Sequence, residues 1–390
     1  MPALILRDAT AVYPDRVEAG VDVYIEGETI AGVGPSLKAK GAEVLDARGF
    51  LLAPGFVDLH IHGAAGAMCE QGDPGAVSRI SATLSQFGVT GFLPTVATLP
   101  PEQLRAAVEA IAAVAGQEPG ARILGIHLEG PYLSPVRAGA QAIQWMRAPS
   151  IEEIDVLQEL SGGRIRLITV APEVEGAISF IAAVRQRGIK VALGHSNATT
   201  EEMQRGIGAG GSHVTHLFNA MRELHHREPG IIGVALTDDS VSVELICDGH
   251  HLDPRVIDLA LRCKPPDKVV LVSDAVGALG MPDGDYEMFG FTCTIAGGTV
   301  RLKQGGSLAG SCLSLDHAVR NVRDWVSRLP IERVIAAAST NPALVLGDPE
   351  VGVIGEGKAG DLVLLDSALG VAATICRGSV VWRRPVSHMA

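Results

Sequence analysis

Between residues 55 and 273 the chain repeats one rhythm. A short apolar run is followed by a polar or Gly-rich turn and then, in most cases, by a stretch with helical spacing. Eight such runs stand at 55–60, 91–96, 123–128, 165–170, 190–195, 213–216, 242–247 and 269–273. The helical stretches include 101–115, with Pro in the first turn, and 175–187, 200–208, 253–262 and 315–328. Eight alternations predict an α/β fold, a TIM-like parallel (β/α)8 barrel; an open doubly wound sheet is the competing arrangement. Residues 286–300 interrupt the rhythm with a β-like patch, expected to be a hairpin inserted after the eighth run. The two ends read differently. Residues 3–12, 21–34, 360–366 and 372–382 are strand-like and carry no helix between paired runs. Because chain ends commonly lie close together, they predict a small β-sandwich domain built from both termini, 1–53 with 345–390, beside a barrel at 54–344.

Composition narrows the classes. Of 390 residues, 47% are hydrophobic and 19% charged, so a large core can form and a disordered chain is excluded. Aromatic residues are scarce at 4% and the net charge is −12, which argues against a nucleic-acid surface. The same charge means that an anionic ligand would need a local cationic pocket. No apolar stretch reaches the ~18–20 residues of a membrane span, and no basic-then-apolar leader opens the chain. The six cysteines are scattered without a Cys-x-x-Cys pair and are expected to be reduced, mostly buried thiols. A cytoplasmic enzyme is the expectation.

The candidate chemistry stands at the ends of the apolar runs, where a barrel builds its active site. Asp58-Leu59-His60-Ile61-His62 closes the first run, and period-2 alternation turns His60 and His62 to one side. Glu129 ends the third run, His195 the fifth, His216 the sixth and Asp274 the eighth. Each alone is compatible with a structural polar group at a strand end. Six such groups at one geometric station instead describe a hydrolytic site. Imidazole and carboxylate hold a divalent ion, and a remaining carboxylate, Asp274, exchanges protons with water and leaving group. Zinc is the first expectation, with iron, manganese or cobalt also suited to these donors, as one or two ions per chain.

The motifs also carry a resemblance. His127-Leu128-Glu129-Gly130-Pro131, His216-Leu217-Phe218-Asn219-Ala220-Met221, Arg227-Glu228-Pro229-Gly230, Asp248-Gly249-His250-His251 and Leu308-Ala309-Gly310-Ser311 resemble the N-acetylglucosamine-6-phosphate deacetylases of the amidohydrolase superfamily, nearly end to end. The resemblance implies that Glu129, His195 and His216 hold the principal metal and that Asp274 is the acid/base. It implies a second metal position at His60 and His62. Asn219, Ala220, His251 and the loop Leu308, Ala309 and Gly310 are then sugar contacts. Arg227 binds the phosphate of a homodimer partner's substrate, with His251 near that partner's site. A guanidinium suits phosphate on chemical grounds too, and Arg222, His225 and His226 lie nearby in sequence. The chain departs from the family at Arg137-Ala138-Gly139-Ala140-Gln141, where a Gly-Ala-His string is usual. Ala140 and Gln141 then stand at the acetyl group. Gln141 can donate a hydrogen bond but cannot titrate, which leaves the preferred sugar open.

The function this implies is hydrolysis of N-acetyl-D-glucosamine 6-phosphate to D-glucosamine 6-phosphate and acetate. Deacetylation of N-acetylgalactosamine 6-phosphate or another acetamido sugar is the alternative. A catalytically silent barrel that serves in assembly would be expected to have lost ligands or base, and this sequence keeps them all.

Overall fold

The computed structural model describes residues 3–288 and 290–385. Phe289, inside the expected hairpin, and residues 386–390, at the end of the expected terminal domain, lie outside the described residues.

All eight apolar runs are strands of one parallel sheet: Phe56–Ile61, Val89–Val96, Ile126–Glu129, Ile165–Val170, Lys190–Leu193, Gly211–Val214, Ser242–Ile246 and Val269–Val272. A short strand at Arg122–Ile123 additionally pairs with the second. Closure comes from the first strand meeting the end of the eighth: Ile61 bridges Ala275, and the Asp274 N–H donates to the His60 carbonyl at 2.9 Å. The first two strands are buried at every position, as strands covered on both faces must be, which is why they read as continuous apolar runs.

Helices such as Pro101–Val114 bury one stripe against this sheet. Pro101–Val114 begins with Pro in its first turn and buries Leu104, Ala107, Val108, Ile111 and Val114, the spacing of a single helix face. Thr200–Ala209 opens on a reciprocal capping box between Thr199 and Glu202. Helices at Pro74–Leu84, Ile151–Leu160, Gly230–Thr237, Ile331–Ala338 and Thr340–Leu346 were not read from the pattern. Gly230–Thr237 is apolar nearly all round and carries two glycines, so periodicity could not mark it.

The termini do pair. Leu51–Pro54 runs antiparallel to Leu362–Leu365 within a sheet that also holds strands from residues 4–46 and 371–383. The strands are hydrogen-bonded into one mixed eight-stranded sheet. Along Leu362–Leu365 the faces alternate: Leu362 and Leu364 join a core with Leu4, Leu6, Val23 and Ile375, while Val363 and Leu365 join the barrel core.

The insertion is larger than a hairpin. Gly284–Met288, Phe291–Ala296, Thr299–Leu302 and Leu308–Ser311 form a four-stranded antiparallel sheet. Residues 308–310, expected as a substrate loop, are therefore strand. Alternation turns Ala309 into the small core of that sheet, beside Met288, Cys293 and Val300.

Candidate active site

Every strand-end residue named from the sequence arrives at one mouth of the barrel. His60 and His62 lie with ring centroids 5.3 Å apart. Glu129 Oε1 lies 3.0 Å from His195 Nε2 and 3.0 Å from His216 Nε2, and those two nitrogens are 3.1 Å from each other. On the other side Asp274 Oδ1 lies 3.4 Å from His60 Nε2 and 3.5 Å from His62 Nε2. Two trios of ligand atoms result, Glu129–His195–His216 and His60–His62–Asp274, each with its atoms within 4.8 Å of one another.

The chain bends sharply to bring these groups together. His195, His216 and Asp274 have φ of 46°, 28° and 48°, and Phe218 and Ala220 in the same loop are also left-handed. Side chains other than glycine avoid this region, and such residues gather where function holds them there. Gly194, just before His195, has no room for a Cβ, which would meet the Thr215 side chain at 2.8 Å.

The tautomers can be deduced from partners that only accept. His195 Nδ1 faces the Arg137 carbonyl at 3.0 Å, His60 Nδ1 faces Glu244 at 3.0 Å, and His62 Nδ1 faces Glu70 at 2.8 Å. Each Nδ1 is therefore a protonated nitrogen, and with an ion in place of a proton at Nε2 each ring would be neutral and turn that lone pair into the site. Carboxylate–histidine and carbonyl–histidine pairs of this kind are what orient metal-bound imidazoles. Lone pairs facing lone pairs, with His60 Nε2 buried and without a hydrogen bond, fit a shared cation. The spacing agrees: donors at 2.0–2.1 Å from a tetrahedral ion stand ~3.3 Å apart.

Electrostatics point the same way. Burial alone would lower the proton affinity of His60, but Glu129, Glu244 and Asp274 outweigh it and raise it well above the ordinary imidazole value. His62 is raised likewise, against burial, by Glu70 and by Asp274 and Glu129. Glu129 is pulled well below the usual carboxylate range: burial opposes this, and His60, His195 and His216 prevail. The site thus demands positive charge that its own residues supply only as protons.

Four partners, three of them buried and Glu70 half-buried, escaped the sequence reading. Glu244 accepts from His60, from His213 Nε2 at 3.0 Å and from the His216 N–H at 3.0 Å; its signal was a carboxylate inside an apolar run. Glu70 gave no signal. His127 sits beneath the site between the hydroxyls of Thr95 and Thr169, and burial followed by His60 keeps it neutral. Asp58 is pushed up to about 6, chiefly by burial.

Residues 51–381 match the model of the Amidohydrolase family. The chain belongs to that family. Among its relatives, this amidohydrolase is 40% identical to the N-acetylgalactosamine-6-phosphate deacetylase of Escherichia coli O157:H7, over 85% of this chain and 87% of the relative. It is 38% identical to the N-acetylglucosamine-6-phosphate deacetylase of Bacillus subtilis (strain 168), over 97% of both chains. Its fold matches a mutant N-acetyl-D-glucosamine-6-phosphate deacetylase from Mycobacterium smegmatis, solved in complex with N-acetyl-D-glucosamine-6-phosphate. That likeness has a TM-score of 0.91 at 31% identity and covers 98% of this chain and 100% of the other.

The amidohydrolase site opens into a cavity of about 660 Å³. Ala140, Gln141, Asn219, Ala220, His251, Leu308 and Gly310 line it, as do Glu129, His62, His195, His216 and Asp274. His251 therefore stands at its own chain's cavity, with its Nδ1 held at 2.6 Å by Asp248. Ala309 and Arg227 are not among the lining residues. Arg227 is exposed, with Nη1 2.8 Å from His226.

Proposed function

We propose that the protein hydrolyses the acetamide of N-acetyl-D-glucosamine 6-phosphate, giving D-glucosamine 6-phosphate and acetate. The observation that carries this is the meeting of Glu129, His195 and His216 around one point, with Asp274 beside it, in a chain related along most of its length to deacetylases of acetamido sugar phosphates. Glu129, His195 and His216 would hold the principal ion, and His60 and His62, with Asp274 Oδ1, a second. A divalent ion held there, zinc by preference, would supply Lewis acidity and would lower the pKa of water from ~15.7 toward ~7.

The protein's own groups do the rest. Asp274 takes the proton of the attacking water and returns it to the departing amine as the carbonyl–nitrogen bond breaks. Burial would raise its carboxyl, but His60 and His62 hold it below the usual range, so it stands ionised and ready to accept at neutral pH. Its Oδ2 is the oxygen left for this task when Oδ1 faces His60 and His62. Asn219, Ala220, His251, Leu308 and Gly310 line the cavity, which supports them as sugar contacts.

Among the described residues that line the cavity no Lys or Arg stands ready for the phosphate. The exposed Arg227 loop, rich in His and Arg, supports a homodimer in which each chain lends Arg227 to the other's substrate. Deacetylation of N-acetylgalactosamine 6-phosphate is the second reading, favoured by the 40% identical relative of that name. Steady-state acetate release from both sugar phosphates tests the proposal. The larger kcat/KM names the substrate, and release from neither by metal-loaded protein sinks the deacetylase reading.

A further inference from the structure

The end of the second barrel strand offers two consecutive backbone N–H groups to the site. The Ala97 N–H donates to Glu70 Oε1 at 3.1 Å, and the same oxygen holds His62 Nδ1. The Thr98 N–H donates to Gln141 Oε1 at 2.7 Å. Gln141 Nε2 in turn donates to Glu129 Oε2 at 2.5 Å. The orientation of this amide is forced. An N–H can only donate, so oxygen must face Thr98; an ionised carboxylate can only accept, so nitrogen must face Glu129.

Glu129 is consequently held with its two oxygens in different company. Oε1 faces His195 and His216 at 3.0 Å each, lies farther from His60 Nε2 at 3.4 Å, and makes no bond with the amide. Oε2 faces His62 Nε2 at 3.3 Å and already accepts from Gln141. One of its lone pairs is spent, and the charge-assisted bond draws electron density from the oxygen.

Resting on the reading of these residues as metal ligands, we propose that Gln141 is a positioning residue that makes the two ion positions unequal. It locks Glu129 Oε1 onto the His195–His216 position, which fills first. It leaves Oε2 a poor donor to the His60–His62–Asp274 position, which fills second and weakly. Gln141 thus acts through Glu129 and is anchored by backbone, so its geometry does not wait for substrate.

Calorimetric titration of the metal-stripped chain with Zn²⁺ tests this without any activity measurement. Gln141→Met keeps the volume but removes both hydrogen bonds, and Gln141→Ala checks for an effect of size. In both variants the first ion should bind tenfold or more weakly, the range found when groups orienting a metal ligand are removed. The second ion, where wild type takes one up, should bind no more weakly than before. First dissociation constants equal to wild type overturn the proposal. So does an equal weakening of both ions, which would mark Gln141 as a packing residue. A wild-type chain that binds no Zn²⁺ overturns the metal reading itself.

Discussion

Asp274 makes the separation of binding from chemistry testable with one atom. Asparagine keeps its size and its oxygen toward His60 and His62 but cannot take a proton from water. Asp274→Asn should lower kcat by about 10²–10⁴, the usual worth of a positioned acid/base. The ion at Glu129, His195 and His216 should remain, as metal analysis of the purified variant would show. Near-wild-type turnover would remove Asp274 from the mechanism. The residue scale also explains the backbone. His195, His216 and Asp274 adopt left-handed φ, a cost of order 1–3 kcal/mol each that surrounding contacts must hold in place. The Ser134 N–H bond to the His195 carbonyl and the Ser311 N–H bond to the Asp274 carbonyl are two such contacts.

Between single residues and the whole barrel, the segment after the third strand decides how the site is roofed. It carries Gln141 and is tied down at its base by Glu153, on the helix Ile151–Leu160. Glu153 accepts from Tyr132 Oη at 2.8 Å and from Arg147 Nη2 at 2.5 Å. Burial would raise the Glu153 carboxyl, but Arg147 and Tyr132 outweigh it and hold it below the usual range. A carboxyl depressed by folding stabilises the fold above its unfolded value, near 4.3. That contribution is lost as pH falls through the lower folded value. Glu153→Gln should therefore melt below wild type at pH 7, and the gap should close below about pH 4. A gap that does not change with pH would assign the loss to packing. The inserted sheet contributes Met288 and Phe291 to the cavity lining, to which Trp145 of this segment and Leu99 also belong.

For the molecule as a whole, the buried cluster of imidazoles and carboxylates couples metal to stability. An ion that binds only the folded chain stabilises it by about 4.1 kcal/mol at a thousandfold its Kd. Dialysis against a chelator should abolish acetate release and lower the thermal midpoint, and added Zn²⁺ should restore both. An unchanged midpoint would show that the cluster folds as well without its cation. Assembly is the other property of this scale. Sedimentation should give a dimer, and Arg227→Ala should raise KM for the sugar phosphate severalfold while sparing activity on the unphosphorylated acetamido sugar. A monomer of full activity would end the idea of a shared phosphate site. Among the described residues no helix is long and apolar enough to cross a membrane.

The linear chain by itself determined the barrel and most of the site. Strands buried on both faces must be continuously apolar, and polar residues that end such strands must lie at the barrel mouth. Eight runs and their terminal His60, His62, Glu129, His195, His216 and Asp274 were therefore legible. Other features were decided only in three dimensions. Hydrogen bonding between strands far apart in sequence made the terminal domain one sheet and drew residues 308–311 into the insertion, which turned Ala309 away from the cavity. Glu70 and Gln141 took their places through the N–H groups of Ala97 and Thr98, tens of residues distant, and Glu244 through imidazoles on other strands. Periodicity records which face of an element is buried; it holds no record of which distant group will meet a buried polar atom, and that pairing set the tautomers and the company of each Glu129 oxygen.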